Sequence, residues 1–155
     1  MFILRTIFFS FITLFPIISF AADDTEVGKK CFDQYAALEA QYDPQAISMI
    51  NDNAVIVGIA PRADGTTQKS QMSGVEYKRR ALINLPRLKQ IGESHAYQNI
   101  AVKMESGKYR ITGTDYSSAA KITVQFSSLF ELDTNKNCKV AEVVIIFPGS
   151  FPRLP

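Results

Sequence analysis

From Glu26 to Tyr42 the apolar side chains recur at intervals of three and four, at Val27, Cys31, Phe32, Tyr35, Leu38 and Tyr42. That period lines one face of a helix. Lys29, Lys30, Asp33, Gln34 and Gln41 take the other face. Pro44 cannot continue the backbone bonding and ends the element. The same Asp43-Pro44 pair suits the start of a second, short helix, with Asp43 as N-cap and Pro44 in the first position. Ala46, Ile47 and Ile50 give it an apolar edge, and it ends near Asn51-Asp52-Asn53. Ala54 to Ala60 is apolar and β-branched, which reads as a buried strand. Pro61 to Thr66 is a turn by composition, and Thr67 to Met72 a weak edge strand. Helical spacing returns from Val75 to Ile91, through Tyr77 or Lys78, Ala81, Leu82, Leu85 and Leu88. Pro86 lies inside it and predicts a kink or division near Leu85.

After Gly92 the period changes to two. Ser94 to Met104 and Tyr109 to Tyr116 are strands, joined by the turn Glu105 to Lys108. Lys121 to Leu132 and Cys138 to Phe147 follow, linked by Asp133 to Asn137, and carry the densest β signal in the chain. Short polar links make these neighbours antiparallel. Ile122, Val124, Phe126, Phe130 and Leu132 form one apolar side; Thr123, Gln125, Ser127 and Glu131 form a polar one, broken by Leu129. The last strand loses its alternation after Glu142. Helices segregate from the long strands, so the fold class is α+β rather than a parallel nucleotide-binding fold.

The start of the 155-residue chain is a different kind of segment. Met1 to Ala21 has one positive charge, Arg5, then an apolar run from Ile7 to Phe20 and a small-x-Ala ending at Ser19-Phe20-Ala21. This predicts a secretory signal peptide over residues 1–21, with a retained anchor as the alternative. One domain then spans 22–147, and a Pro-rich tail spans 148–155. The address is therefore periplasmic or secreted, with no membrane span after cleavage. The chain holds 17 Lys+Arg against 15 Asp+Glu, and the basic residues form no stripe. Nucleic-acid binding needs concentrated positive charge, so it is not expected. Two cysteines in an exported chain predict one disulfide, Cys31 to Cys138. One histidine and no C-x-x-C leave no metal site and imply no cofactor.

Three stretches resemble the nuclear-transport-factor-2-like (SnoaL-like) superfamily. Tyr42-Asp43-Pro44-Gln45-Ala46 followed by Asn51-Asp52-Asn53-Ala54-Val55-Ile56 is similar to its acidic residue, short helix and Asp-x-Ala-hydrophobic strand. Ser73-Gly74-Val75-Glu76-Tyr77 is similar to its glycine before the third helix, and the closing long hairpins complete the likeness. The resemblance covers Glu26 to Phe147. It implies a cone: a strongly curved, mostly antiparallel sheet packed against a long N-terminal helix and a kinked third helix, around an apolar pocket. The disulfide and the tail are not features of that family. By the resemblance to ketosteroid-isomerase-like members, Tyr35 would act as oxyanion donor and Asp115 as base.

A pocket needs polar groups aimed inward to be more than a core. Alternation puts Asp115 on one face with Tyr109, Ile111 and Gly113, at a strand end where a solvated turn carboxylate is ordinary. Burial there would raise its pKa and suit it to general base work. Glu142 shares a face with Val140, Val144 and Ile146 if the strand is regular; a bulge would turn it outward. His95 starts a strand, a position usually exposed. Tyr77 and Tyr97 are pocket, interface or core aromatics. Gln98, grouped with Ile100 and Val102, and Ser128, grouped with Phe126 and Phe130, are polar groups on apolar faces that orient a ligand without reacting. The weak catalytic set is thus Asp115, Tyr35, Glu142 and His95; the expected pocket is Tyr35, Tyr77, Gln98, Asp115 and Ser128.

Three functions remain open, because fold alone does not give function. The first is an exported domain binding a small apolar ligand or a protein partner without catalysis, including a homodimer through the sheet face. The second is a pocket enzyme of isomerase, dehydratase or cyclase type. The third is a secretion-apparatus or toxin-immunity component that uses the fold as scaffold.

Overall fold

The computed structural model describes residues 21–149. The expected signal segment 1–21 and tail 148–155 fall almost wholly outside that range. Three helices and six strands follow in the order α1 (Ala21–Ala40), α2 (Pro44–Ser48), β1 (Ile50–Pro61), β2 (Thr67–Ser73), α3 (Gly74–Ile91), β3 (His95–Glu105), β4 (Lys108–Ser117), β5 (Ile122–Leu132) and β6 (Cys138–Ile146). The expected class, α+β with helices on a curved, mostly antiparallel sheet, is what forms. No helix among the described residues is long and apolar enough to cross a membrane.

The short helix is set by its first two residues. Asp43 accepts a hydrogen bond from the Gln45 N–H at 2.8 Å and Pro44 takes the first helical position, which satisfies an amide that the helix itself cannot. The helix ends at Ser48, earlier than expected, because β1 already begins at Ile50. At α3 Ser73 caps the start by accepting from the Glu76 N–H at 3.3 Å, and Gly92 ends it in the left-handed conformation at φ 65°. Pro86 does not divide the helix: α3 is one element to Ile91.

The sheet runs β2-β1-β6-β5-β4-β3. Every neighbouring pair is antiparallel except β1 and β6, which are parallel. On the concave side the strands align in rungs: Tyr109, Phe130 and Val140; Ile111, Ser128 and Val143; Gly113, Phe126 and Ile145; then Tyr97, Asp115 and Val124. Helix α1 lies across this surface. Cys31, Phe130, Ile111, Val140 and Ile50 are at most 2 % exposed and form the floor of the cone. The helix comes so close that a Cβ on Gly28 would stand 2.7 Å from the Tyr109 Cβ. Cys31 and Cys138 are bonded, with Cα atoms 5.5 Å apart across a separation of 107 residues. A loop of that length gives about 4 kcal/mol in the chain-entropy model.

Two bulges decide which residues enter the cone. In β3 the register slips between Gln98 and Ala101, with Asn99 at φ 55°. In β6 it slips between Glu142 and Val140, so Ala141 is the extra residue. An extra residue reverses the alternation beyond it. Val140, Val143 and Ile145 therefore face inward together, and Glu142, Val144 and Ile146 face outward.

Candidate functional site

Above the floor the cone stays open. One cavity lobe of about 340 Å³ lies between α1, α2 and α3, and a second of about 210 Å³ lies over the concave sheet. They share Tyr35, Glu39, Tyr77, Leu88, His95 and Tyr97 as a common wall. The polar chemistry of the molecule's interior is concentrated at this neck.

Glu39 comes from α1, one turn beyond Tyr35. It accepts hydrogen bonds from the Tyr35 hydroxyl at 3.2 Å and from the Tyr97 hydroxyl of β3. Burial raises its pKa, opposed by the charge of His95 and the bond from Tyr97. The Tyr35 and Tyr77 hydroxyls are pushed up, chiefly by burial, and so is Tyr97, by burial and then by the Glu39 charge. All three remain protonated across the ordinary pH range, and Tyr35 and Tyr97 donate to Glu39.

His95 stands at the start of β3, its ring stacked on Tyr97 at 6.1 Å. Its Nδ1 is 2.8 Å from Asp115 Oδ2, and its Nε2 is 3.6 Å from Glu93 Oε1. Burial draws the imidazole pKa down. The Asp115 hydrogen bond and the charges of Glu39, Asp115 and Glu93 outweigh that and lift it to about 9. The ring is therefore an imidazolium near neutral pH, and both its nitrogens are donors.

Glu93 is a buried carboxylate, 8 % exposed, placed by the left-handed turn at Gly92. It accepts from Ser117 Oγ at 2.6 Å and from the Ala119 N–H at 2.7 Å, which ties the β4–β5 turn to the end of α3. Asp115 is less fully used. Its Oδ2 engages His95, while its Oδ1 is buried without any hydrogen-bond partner. An unpaired buried acceptor is costly, so its presence in a cavity wall points to a group from outside.

Of the residues singled out in the sequence, Tyr35, Tyr77, Tyr97, His95, Asp115 and Ser128 line the cavity. Gln98 does not. The Asn99 bulge separates it from Ile100 and Val102, and it pairs with Thr114 on the outer side, exposed. Glu142 is outward as well. It accepts from Arg110 Nη1 at 2.5 Å, and Arg110 Nε also reaches Glu105 at 3.2 Å. Glu39 and Glu93 also line the cavity, and neither is among the residues expected from the sequence. The signal for Glu39 was present: it follows Tyr35 by four and precedes Tyr42 by three, on the same helical face. Glu93 had none, since its role depends on the β4–β5 turn folding back onto it. Among the described residues no group of three or more His, Cys, Asp or Glu has the arrangement to hold a metal ion.

No protein-family model and no curated protein matches the sequence. Solved structures do match in fold. An NTF2-like protein from Cytophaga hutchinsonii superposes with a TM-score of 0.57 at 11% identity, covering 79% of this chain and 96% of that one. A chain of naphthalene 1,2-dioxygenase with indole in its active site gives a TM-score of 0.65 at 9% identity, over 85% and 82%. The CaMKII hub of S. rosetta gives 0.54 at 12%, over 78% and 94%. The protein thus has the nuclear-transport-factor-2-like fold expected from its sequence. Those neighbours include a dioxygenase chain and a hub, so the shared fold assigns no chemistry.

Proposed function

We propose that the chain is an exported domain whose cone receives a small, largely apolar molecule bearing a hydrogen-bonding group. The observation that carries this reading is a cavity of two lobes lined mainly by aromatic and aliphatic side chains, with Glu39, His95, Asp115 and Ser128 as polar groups in its wall. A pocket of this kind, apolar with a few convergent polar groups, is the usual form of a small-molecule site. The test is native mass spectrometry and crystallography of protein purified without added ligand, followed by titration with a fragment set. A bound molecule or fragment contacting Asp115 is the expected result. A cone that closes on itself in the crystal and binds no fragment overturns the proposal.

Export is supported by the leader pattern of residues 1–21 and by the Cys31–Cys138 disulfide, which persists in oxidising compartments. Expression of the full chain in a bacterial host, with mass analysis of the mature product, should find Ala22 as its first residue. A product that still begins at Met1 removes this part of the reading.

A second reading, a pocket enzyme working by proton transfer, is favoured by one feature. His95 as imidazolium can give a proton, and Asp115 Oδ1 beside it can take one. Turnover of a cavity-bound ligand that is lost in both Asp115→Asn and His95→Gln would establish it; binding of a ligand released unchanged would exclude it.

A further inference from the structure

We infer that the cone is built for an organic cation: a primary or secondary amine carried on an apolar body. This rests on the cone being a ligand site and specifies the chemistry of its occupant.

The first argument is the use of donors and acceptors. Tyr35 and Tyr97 both aim their hydroxyls at Glu39. The two imidazole nitrogens of His95 face Asp115 and Glu93. The two tyrosine hydroxyls and His95 Nδ1 are hydrogen-bonded to carboxyl groups of the protein, and His95 Nε2 stands 3.6 Å from a third. Among the described residues the buried side-chain polar atom without a partner is an acceptor, Asp115 Oδ1. An arriving molecule completes the site by bringing a donor, and a carboxylate ligand cannot do so.

The second argument is charge. Glu39, Asp43, Glu93 and Asp115 line the two lobes, and His95 is the only cationic side chain among the lining residues; no lysine or arginine reaches either lobe among the described residues. One imidazolium does not balance that set. Between low-dielectric walls the remaining field is screened less than in bulk water and attracts a positive ligand.

The third argument is the wall. Phe32 and Phe126 are stacked at 5.7 Å, and Tyr97 meets Phe126 edge-on at 5.5 Å. Asp115 shares its rung with Tyr97. An ammonium donating to Asp115 Oδ1 therefore lies beside aromatic rings, whose negative faces favour a cation. The apolar body of the ligand then fills the lobe over Val143 and Ile145.

Three probes of similar shape separate the charge from the fit: phenethylamine, phenethyl alcohol and hydrocinnamate, titrated calorimetrically near neutral pH. The amine is expected to bind at least about tenfold more tightly than either of the others. Asp115→Asn should abolish that preference while alcohol binding persists. Glu39→Gln, which also removes a carboxyl charge, is the second variant should Asp115→Asn fail to fold. Equal or tighter binding of the alcohol or of hydrocinnamate overturns the cation inference and leaves the ligand site standing. An amine preference unchanged in the folded variants overturns it too. Failure of all three probes to bind overturns the cation inference, and the ligand-site reading is then decided separately by the fragment titration and the crystal.

Discussion

The two faces of the same sheet treat charge in opposite ways. On the convex face Arg110 sits between Glu105 and Glu142, one guanidinium for two carboxylates, at a partly exposed position. Water and salt screen such groups, and nothing about them calls for a further partner. On the concave face the carboxylates are the more buried ones: the Glu93 and Asp115 side chains beside His95 are 6 % and 14 % exposed, against 38 % and 35 % for Glu105 and Glu142, and one carboxylate oxygen finds no donor. The outer cluster is complete as it stands. The inner one is held by the fold in an arrangement that burial makes costly.

That contrast can be attacked first through the wall beneath the site. Phe130 is 1 % exposed and packs against Phe32 and Tyr35. Phe130→Ala should lower unfolding free energy by about 3–5 kcal/mol in a chemical denaturation experiment, because the cavity it leaves lies under a rigid helix. A loss as small as that of an exposed substitution would mean that the concave face is not the core. The next effect tests the closeness of α1. Gly28→Ala places a methyl 2.7 Å from Tyr109 Cβ and 2.9 Å from its ring. It should cost about 1–3 kcal/mol by overpacking, and a thermal melt reads it.

A pH-dependent effect distinguishes the inner cluster itself. His95 is held at about 9 against an ordinary 6.5. A raised folded pKa contributes stability that is fully present below about 6.5 and is lost as pH rises through about 9. Wild-type stability should therefore fall across that interval relative to His95→Gln, in which the imidazole and its carboxyl partners Glu39, Glu93 and Asp115 no longer couple. Parallel stability curves for the two proteins would show that those three groups do not hold the ring charged. The smallest effect belongs to the convex face: Glu142→Gln should change unfolding free energy by less than about 1 kcal/mol, and less still in high salt. A large loss there would erase the difference between the faces.

Much of this architecture was legible locally. The three-and-four spacing of Val27, Cys31, Phe32, Tyr35 and Leu38 placed the buried face of α1, because a helix's period is fixed by its own backbone. Asp43-Pro44 and Ser73-Gly74 marked the starts of α2 and α3 by the same local logic of unsatisfied amides. Alternation put Tyr109, Ile111 and Asp115 on one side of β4, and no bulge interrupts that strand's pairing with β5. The faces of Gln98 and Glu142 are not legible in the sequence, for one shared reason. Each lies beside a bulge, and a bulge exists only relative to the strand it is paired with.

The sequence by itself determined the elements, their order and the faces of every strand whose register is regular. Those properties follow from residue period and from turn and cap chemistry within a few positions. Only the tertiary structure decided that Ala141 is an extra residue, that Tyr97 rather than Gln98 turns inward, and that Glu39, Glu93 and Asp115 meet around one imidazole. These four groups stand on α1, the turn after α3, β4 and β3. Their meeting is set by the curvature of the sheet and the seating of α1 across it, and no local period encodes either.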